Sequence, residues 1–219
     1  IAATIWLAAC SEGIGPPPGP ELVVLQWSPA IGSPSFSARR GELVLKGPHA
    51  AAGHSATSTL DTYQTSFWAH RGRDETVEIR YRAPDGTWQP FAQLSIPAAG
   101  LYRHPNGELF GDGDSVLITV TLDPKLITVE FQPTGLVFSS AAPAQFNLWY
   151  TGADADLDAN GTLNGVDEQI RRTQLGVWVQ EYSGDPWAGV RALHSLDDRL
   201  FSAGLQHFSK YLGGYAVSF

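Results

Sequence analysis

The chain has 219 residues, enough for one sizeable domain or two small ones, and its 43% hydrophobic content is ordinary for a globular protein. A formal net charge of −8 with no Lys/Arg cluster argues against a nucleic-acid footprint, and a single Cys excludes an intramolecular disulfide. Many Gly, Pro and Trp residues favour strands and turns over helices. There is no Met, so the sequence is expected to begin partway into a longer gene product.

Ile1-Ala2-Ala3-Thr4-Ile5-Trp6-Leu7-Ala8-Ala9-Cys10 is apolar and uncharged. Leu7-Ala8-Ala9-Cys10 resembles the lipobox of bacterial lipoproteins. That resemblance implies a lipid on Cys10 and a membrane-anchoring segment over residues 1–10; the plain alternative is a buried N-terminal strand holding a free Cys. Ten residues fall short of the roughly 20 apolar residues that span a bilayer, so the alternative is an uncleaved helix continuing upstream. Either version places the rest of the chain on the periplasmic side of a bacterial membrane. Gly15-Pro16-Pro17-Pro18-Gly19-Pro20 then reads as an extended spacer within a linker over residues 11–35. The alternative there is a Pro-rich ligand for an aromatic groove. Leu22 to Trp27 is a short apolar run.

An N-terminal β part is expected over residues 36–122. Glu42 to Lys46 and Thr65 to His70 read as strands, and Pro48 to Ser58 is a loop with His49 and His54. Val77, Ile79 and Tyr81 alternate with charges, which predicts a sheet with one wet side. Pro84-Asp85-Gly86 is a turn, and Trp88 to Ile96 returns as its hairpin partner. Pro105-Asn106-Gly107 and Gly111-Asp112-Gly113-Asp114 are further turns, and Ser115 to Leu122 is the clearest strand. Trp27, Trp68, Trp88, Trp149, Trp178 and Trp187 read mostly as core or strand residues.

A C-terminal β part is expected over residues 123–219. Leu126 to Phe131 alternates again. It leads to Pro133-Thr134-Gly135-Leu136-Val137-Phe138 and the Pro143 to Tyr150 strand. These stretches, with His207-Phe208-Ser209-Lys210-Tyr211 and Tyr215-Ala216-Val217, resemble the sandwich domain shared by ankyrins and netrin receptors and the closing strand of its bacterial relatives. The resemblance implies an interaction sandwich without catalytic residues. The fold class expected is mainly β: an antiparallel, Ig-like two-sheet sandwich with one short helix.

Between those stretches lies Asp156-Leu157-Asp158-Ala159-Asn160-Gly161-Thr162-Leu163-Asn164-Gly165-Val166-Asp167. Its oxygen-bearing side chains fall at positions one, three, five, nine and twelve, with Gly at six and an apolar residue at eight. This is the ligand schedule of a Ca2+ loop. Asp156, Asp158 and Asn160 would be direct ligands, Thr162 would give its carbonyl, Asn164 would act through a water, and Asp167 would close the sphere. Asp at the twelfth position and Asn at the ninth resemble the dockerin variant. The plain alternative is a solvated turn. Glu168 to Gln174 is the helix expected after the loop.

No nucleophile elbow, phosphate loop, paired-Cys zinc pattern or His-x-x-x-His helix is present in the sequence. The expected function is therefore non-enzymatic: a membrane-tethered subunit that docks on and braces a larger membrane protein complex. In overall character the chain resembles an extra periplasmic subunit of a bacterial photosynthetic reaction centre with its antenna rings. A surface lipoprotein that binds carbohydrate or adhesive partners through exposed aromatics is the alternative, and a secreted hydrolase the third reading.

Overall fold

The computed structural model describes residues 21–40, 43–45 and 63–217. The anchoring segment with Cys10, the proline spacer, and His49 and His54 lie outside the described residues. In chain order the elements are β1 (Glu21–Val24), β2 (Phe36–Arg40), β3 (Leu43–Leu45), β4 (Tyr63–His70), β5 (Glu75–Arg82), β6 (Trp88–Ile96), β7 (Leu101–Arg103), β8 (Ser115–Leu122), β9 (Thr128–Gln132), β10 (Val137–Phe138), β11 (Ala144–Trp149), α1 (Gly165–Thr173), β12 (Gly176–Gln180), β13 (Ala188–Val190), β14 (Leu193–Ser195), β15 (Leu200–Leu205) and β16 (Lys210–Val217).

Strands dominate because apolar residues recur at every second position. In β5, Val77, Ile79 and Tyr81 are buried, whereas Thr76 and Arg82 are exposed. Such a strand has one face to cover, and two sheets cover their faces against each other. The first sheet has the order β13-β12-β16-β9-β8-β4, with β1 also on β16, and the second has the order β14-β15-β11-β6-β5-β2-β3. All named pairings are antiparallel. The fold is thus a mainly β, two-sheet antiparallel sandwich with one short helix, as the sequence predicts. Arg191 and Ala192 alone separate β13 from β14, so the chain switches sheets at that edge.

One expected boundary is corrected. The linker does not extend to residue 35. From Glu21 the chain pairs with β16, and Leu25 and Trp27 enter the core, because this apolar run gains more by burial than by extending into water. Residues 36–122 and 123–219, which the sequence leaves open as one sandwich or two, share both sheets. β8 pairs with β9 and β6 with β11, so each sheet draws strands from both stretches.

The core is built on phenylalanine rather than tryptophan. Phe91, Phe131, Phe138, Phe146, Phe201 and Phe208 are all but inaccessible. Phe131 meets Phe146 edge-on at 5.3 Å and stacks on Phe208 at 5.0 Å. Of the six tryptophans expected mostly inside, Trp27 is buried, but Trp68 and Trp88 are exposed and Trp149, Trp178 and Trp187 are half-buried. The reason is the pleat: Phe67 and Trp68 are neighbours on β4, and neighbours point to opposite faces.

Candidate metal centre

β11 delivers the chain to the corner where the loop stands. Tyr150 is buried there, and Gly152 follows under the Trp27 indole. A Cβ on Gly152 would lie 2.5 Å from Trp27 Cζ3 and 3.0 Å from Tyr81 Cζ, so only glycine lets the backbone pass this close. The entering strand residues are held in turn: the Ser28 amide donates to the Gly152 carbonyl and the Asp154 amide to the Gln26 carbonyl, each at 2.9 Å.

The loop then winds around its own carboxylates. Asp156 Oδ2 accepts from the Gly161 amide at 2.7 Å, and Oδ1 from Asn160 at 3.2 Å. Gly161 sits at φ 80°, the left-handed turn that the sixth position demands. Ala159 also adopts φ 55°, a conformation costing a non-glycine residue roughly 1–2 kcal/mol. Asp158 accepts from the Asn160 amide and side chain.

Asp167 is the buried member. Its Oδ1 accepts from Leu157 and Asp158, and its Oδ2 from Asn164, with the Leu157 and Asn164 amides both at 2.8 Å. These amides, with Asn164 the largest cause, hold its carboxyl below the usual carboxylate range. The helix starts sooner than expected, at Gly165, because Asn164 and Asp167 form a reciprocal capping box. Burial of Ile170 and Leu175 then pins α1 to the sandwich.

Asp156, Asp158 and Asp167 each bring an oxygen within 4.8 Å of the others. Asn160 lies beside them through its bond to Asp158. The Thr162 carbonyl accepts from Asn164 Nδ2, and Asn164 Oδ1 caps the Val166 amide. The structure therefore gathers the three acids, keeps Asn160 in contact with them, and gives Asn164 a helix-capping role. The donors are all oxygen, the preference of a hard cation such as Ca2+ or Mg2+, and backbone amides orient the acids without neutralising them.

Sequence reasoning did not find the residues that hold the loop. The Tyr215 hydroxyl on β16 donates to the Leu157 carbonyl at 2.7 Å. Burial first, then the charges of Asp158 and Asp167, raise the Tyr215 pKa. Gln26 and Asp154 clamp the other side. No local pattern marks such contacts, since 58 residues separate Tyr215 from Leu157.

Behind α1, the Tyr150 hydroxyl meets His194 Nε2 at 2.7 Å, and Glu168 takes both Arg171 and Arg172 on the helix surface. Compared with known proteins, the chain matches no family model, no curated protein and no solved structure.

Proposed function

We propose that this protein is a calcium-stiffened docking subunit, tethered at the periplasmic face of a bacterial membrane and working by contact with a larger membrane complex. The observation that carries the reading is the placement of the loop. The loop that gathers its three acids is tied to the segment just after β1 through Asp154 and Gln26, and to β16 through Leu157 and Tyr215. β1 is the strand through which the preceding residues enter the fold. A cation held by Asp156, Asp158 and Asp167, with Asn160 and the Thr162 carbonyl as further oxygens, would replace the acids' mutual repulsion by coordination. It would thereby lock the strand on which a tether pulls. The lipobox-like Cys10 supplies the tether, and the host assembly suggested by overall character is a photosynthetic reaction centre with its antenna.

Two measurements test this. Calorimetry with calcium should show binding to the parent and none to Asp156→Ala; equal binding by both would overturn the metal reading. Purification in mild detergent should bring down membrane subunits in fixed ratio, and a lone monomer would overturn the docking reading. Pigment absorbance in the purified material decides for or against the photosynthetic host.

A further inference from the structure

Residues paired across antiparallel strands share a face. The first sheet sets Gln64, Thr121, Glu130, Lys210 and Gln180 in a single row across five strands. This row lies on the face turned away from the core. The flanking positions Thr65, Val120, Val129, Tyr211 and Val179 point the other way, and the first four of them are buried. A second row, Ser66, Thr119 and Gln132, runs beside it.

At the β12 end the rows open into a cleft of about 340 Å³, where Thr134, Glu181 and Tyr182 join Glu130, Lys210 and Gln180. Among the described residues, no aliphatic side chain lines it. Aromatic rings stand exposed at both ends of the platform. Tyr182 is 64% exposed at the cleft, and Trp68 is 52% exposed on β4, on the same face as Gln64 and Ser66. Four interstrand steps separate β12 from β4, about 19 Å at ~4.8 Å per step.

We propose that this face binds a linear, uncharged polysaccharide laid across the strands from Tyr182 towards Trp68. A sugar chain presents hydroxyls that both donate and accept, and flat C–H faces that pack on aromatic rings. The platform matches both. Its amide, hydroxyl and carboxylate groups are already braced sideways: Gln132 Nε2 donates to Glu130 Oε1 at 2.7 Å, Gln64 Nε2 to Thr121 Oγ1 at 3.2 Å, and Gln180 Nε2 to the Asp185 carbonyl at 2.8 Å. Glu130 and the amide oxygens of Gln64 and Gln180 retain lone pairs for a ligand, whereas Gln132 Oε1 is taken by the Thr134 amide and hydroxyl. Charge sets the class of ligand. Two carboxylates, Glu130 and Glu181, against one ammonium, Lys210, repel a phosphate or uronate polymer and leave a neutral one unopposed. A peptide anchored by aliphatic side chains would meet polar groups in the cleft, with Leu117 beside Trp68 as an exposed aliphatic contact at the far end. The proposal is independent of whether the loop holds calcium.

The test is titration of the full chain with cellohexaose, chitohexaose, mannohexaose and xylohexaose, followed by calorimetry and backbone-amide NMR, with oligogalacturonate as the charged comparator. At least one neutral hexasaccharide should bind in the millimolar range or tighter and shift amides of β9, β12 and β16. Tyr182→Ala and Trp68→Ala should each weaken it tenfold or more while melting like the parent, because both rings are exposed. Asp156→Ala should bind as the parent does. Failure of all four neutral sugars, preference for oligogalacturonate, or binding that survives loss of both rings would overturn the proposal.

Discussion

The phenylalanine core and the loop corner are held together by opposite means. Around Phe131, Phe146 and Phe208 the chain is fixed by aromatic surface removed from water, with ring centroids 5.0–5.3 Å apart. Around Asp156, Asp158 and Asp167 almost every contact is a hydrogen bond from a backbone amide to a carboxylate. The first kind of contact is non-directional and insensitive to ions or pH. The second depends on the charge of the acids and on the direction of the amides that face them. One molecule thus combines a body held by apolar burial with a corner held by hydrogen bonds to carboxylates.

The sharpest way to break the comparison is on the body side. Phe146→Ala should cost about 3–5 kcal/mol of stability in urea unfolding, the usual cost of emptying a buried aromatic site, by the same amount with calcium or with chelator. Gly152→Ala joins the two regions. Its Cβ overlaps Trp27 on the core side while its carbonyl positions the loop's entry, so roughly 1–3 kcal/mol should be lost and calcium affinity should fall with it. A loss of stability with unchanged calcium binding would show that the corner does not lean on the core there.

Tyr215→Phe isolates the corner, removing one buried hydroxyl contact and keeping the ring. About 0.5–1.5 kcal/mol should be lost, with faster hydrogen exchange at Leu157 and Asp158 and unchanged exchange in β6.

The smallest effect is with pH, at His194. Burial first, then the charge of Arg171, hold its pKa below the ordinary 6.5. The unfolded chain therefore takes up the proton first as pH falls. Stability is fully present above about 6.5 and declines as pH drops from there through the depressed folded value. His194→Gln should flatten that part of the stability–pH curve by a few tenths of a kcal/mol, a small figure because the ring is partly exposed. An unchanged slope would remove His194 from the account.

Much of the body was legible in the sequence. The alternation in Val77, Ile79 and Tyr81 fixes which face of β5 is buried, and Pro84-Asp85-Gly86 fixes the hairpin, with Gly86 at φ 84°. The helix after the loop was legible too, though its start was misplaced by three residues because the capping box draws Gly165 into the first turn. Less legible was which aromatic goes inside. Trp68 and Phe67 look equally apolar in a list of residues, and only the register of β4 on β8 sends one to each face. The spacing of the loop's acids was readable, but Asn164 turned out to cap a helix, a use that competes for the same side-chain oxygen.

Sequence alone determined the class of structure, since period-two burial and strong turn residues act over a few neighbours and need no partner to be read. It also determined the candidate ligands, since a turn of twelve residues brings its own side chains together. Tertiary structure decided what those local units touch. Pairing β1 with β16 absorbed what looked like linker, seating Tyr215 under Leu157 tied the loop to the last strand, and aligning five strands made a polar row from residues up to 146 positions apart, from Gln64 to Lys210. The physical reason is range. Turn and alternation preferences act over a few bonds, whereas sheet order is set by the mutual burial of faces that meet only once the whole chain has closed.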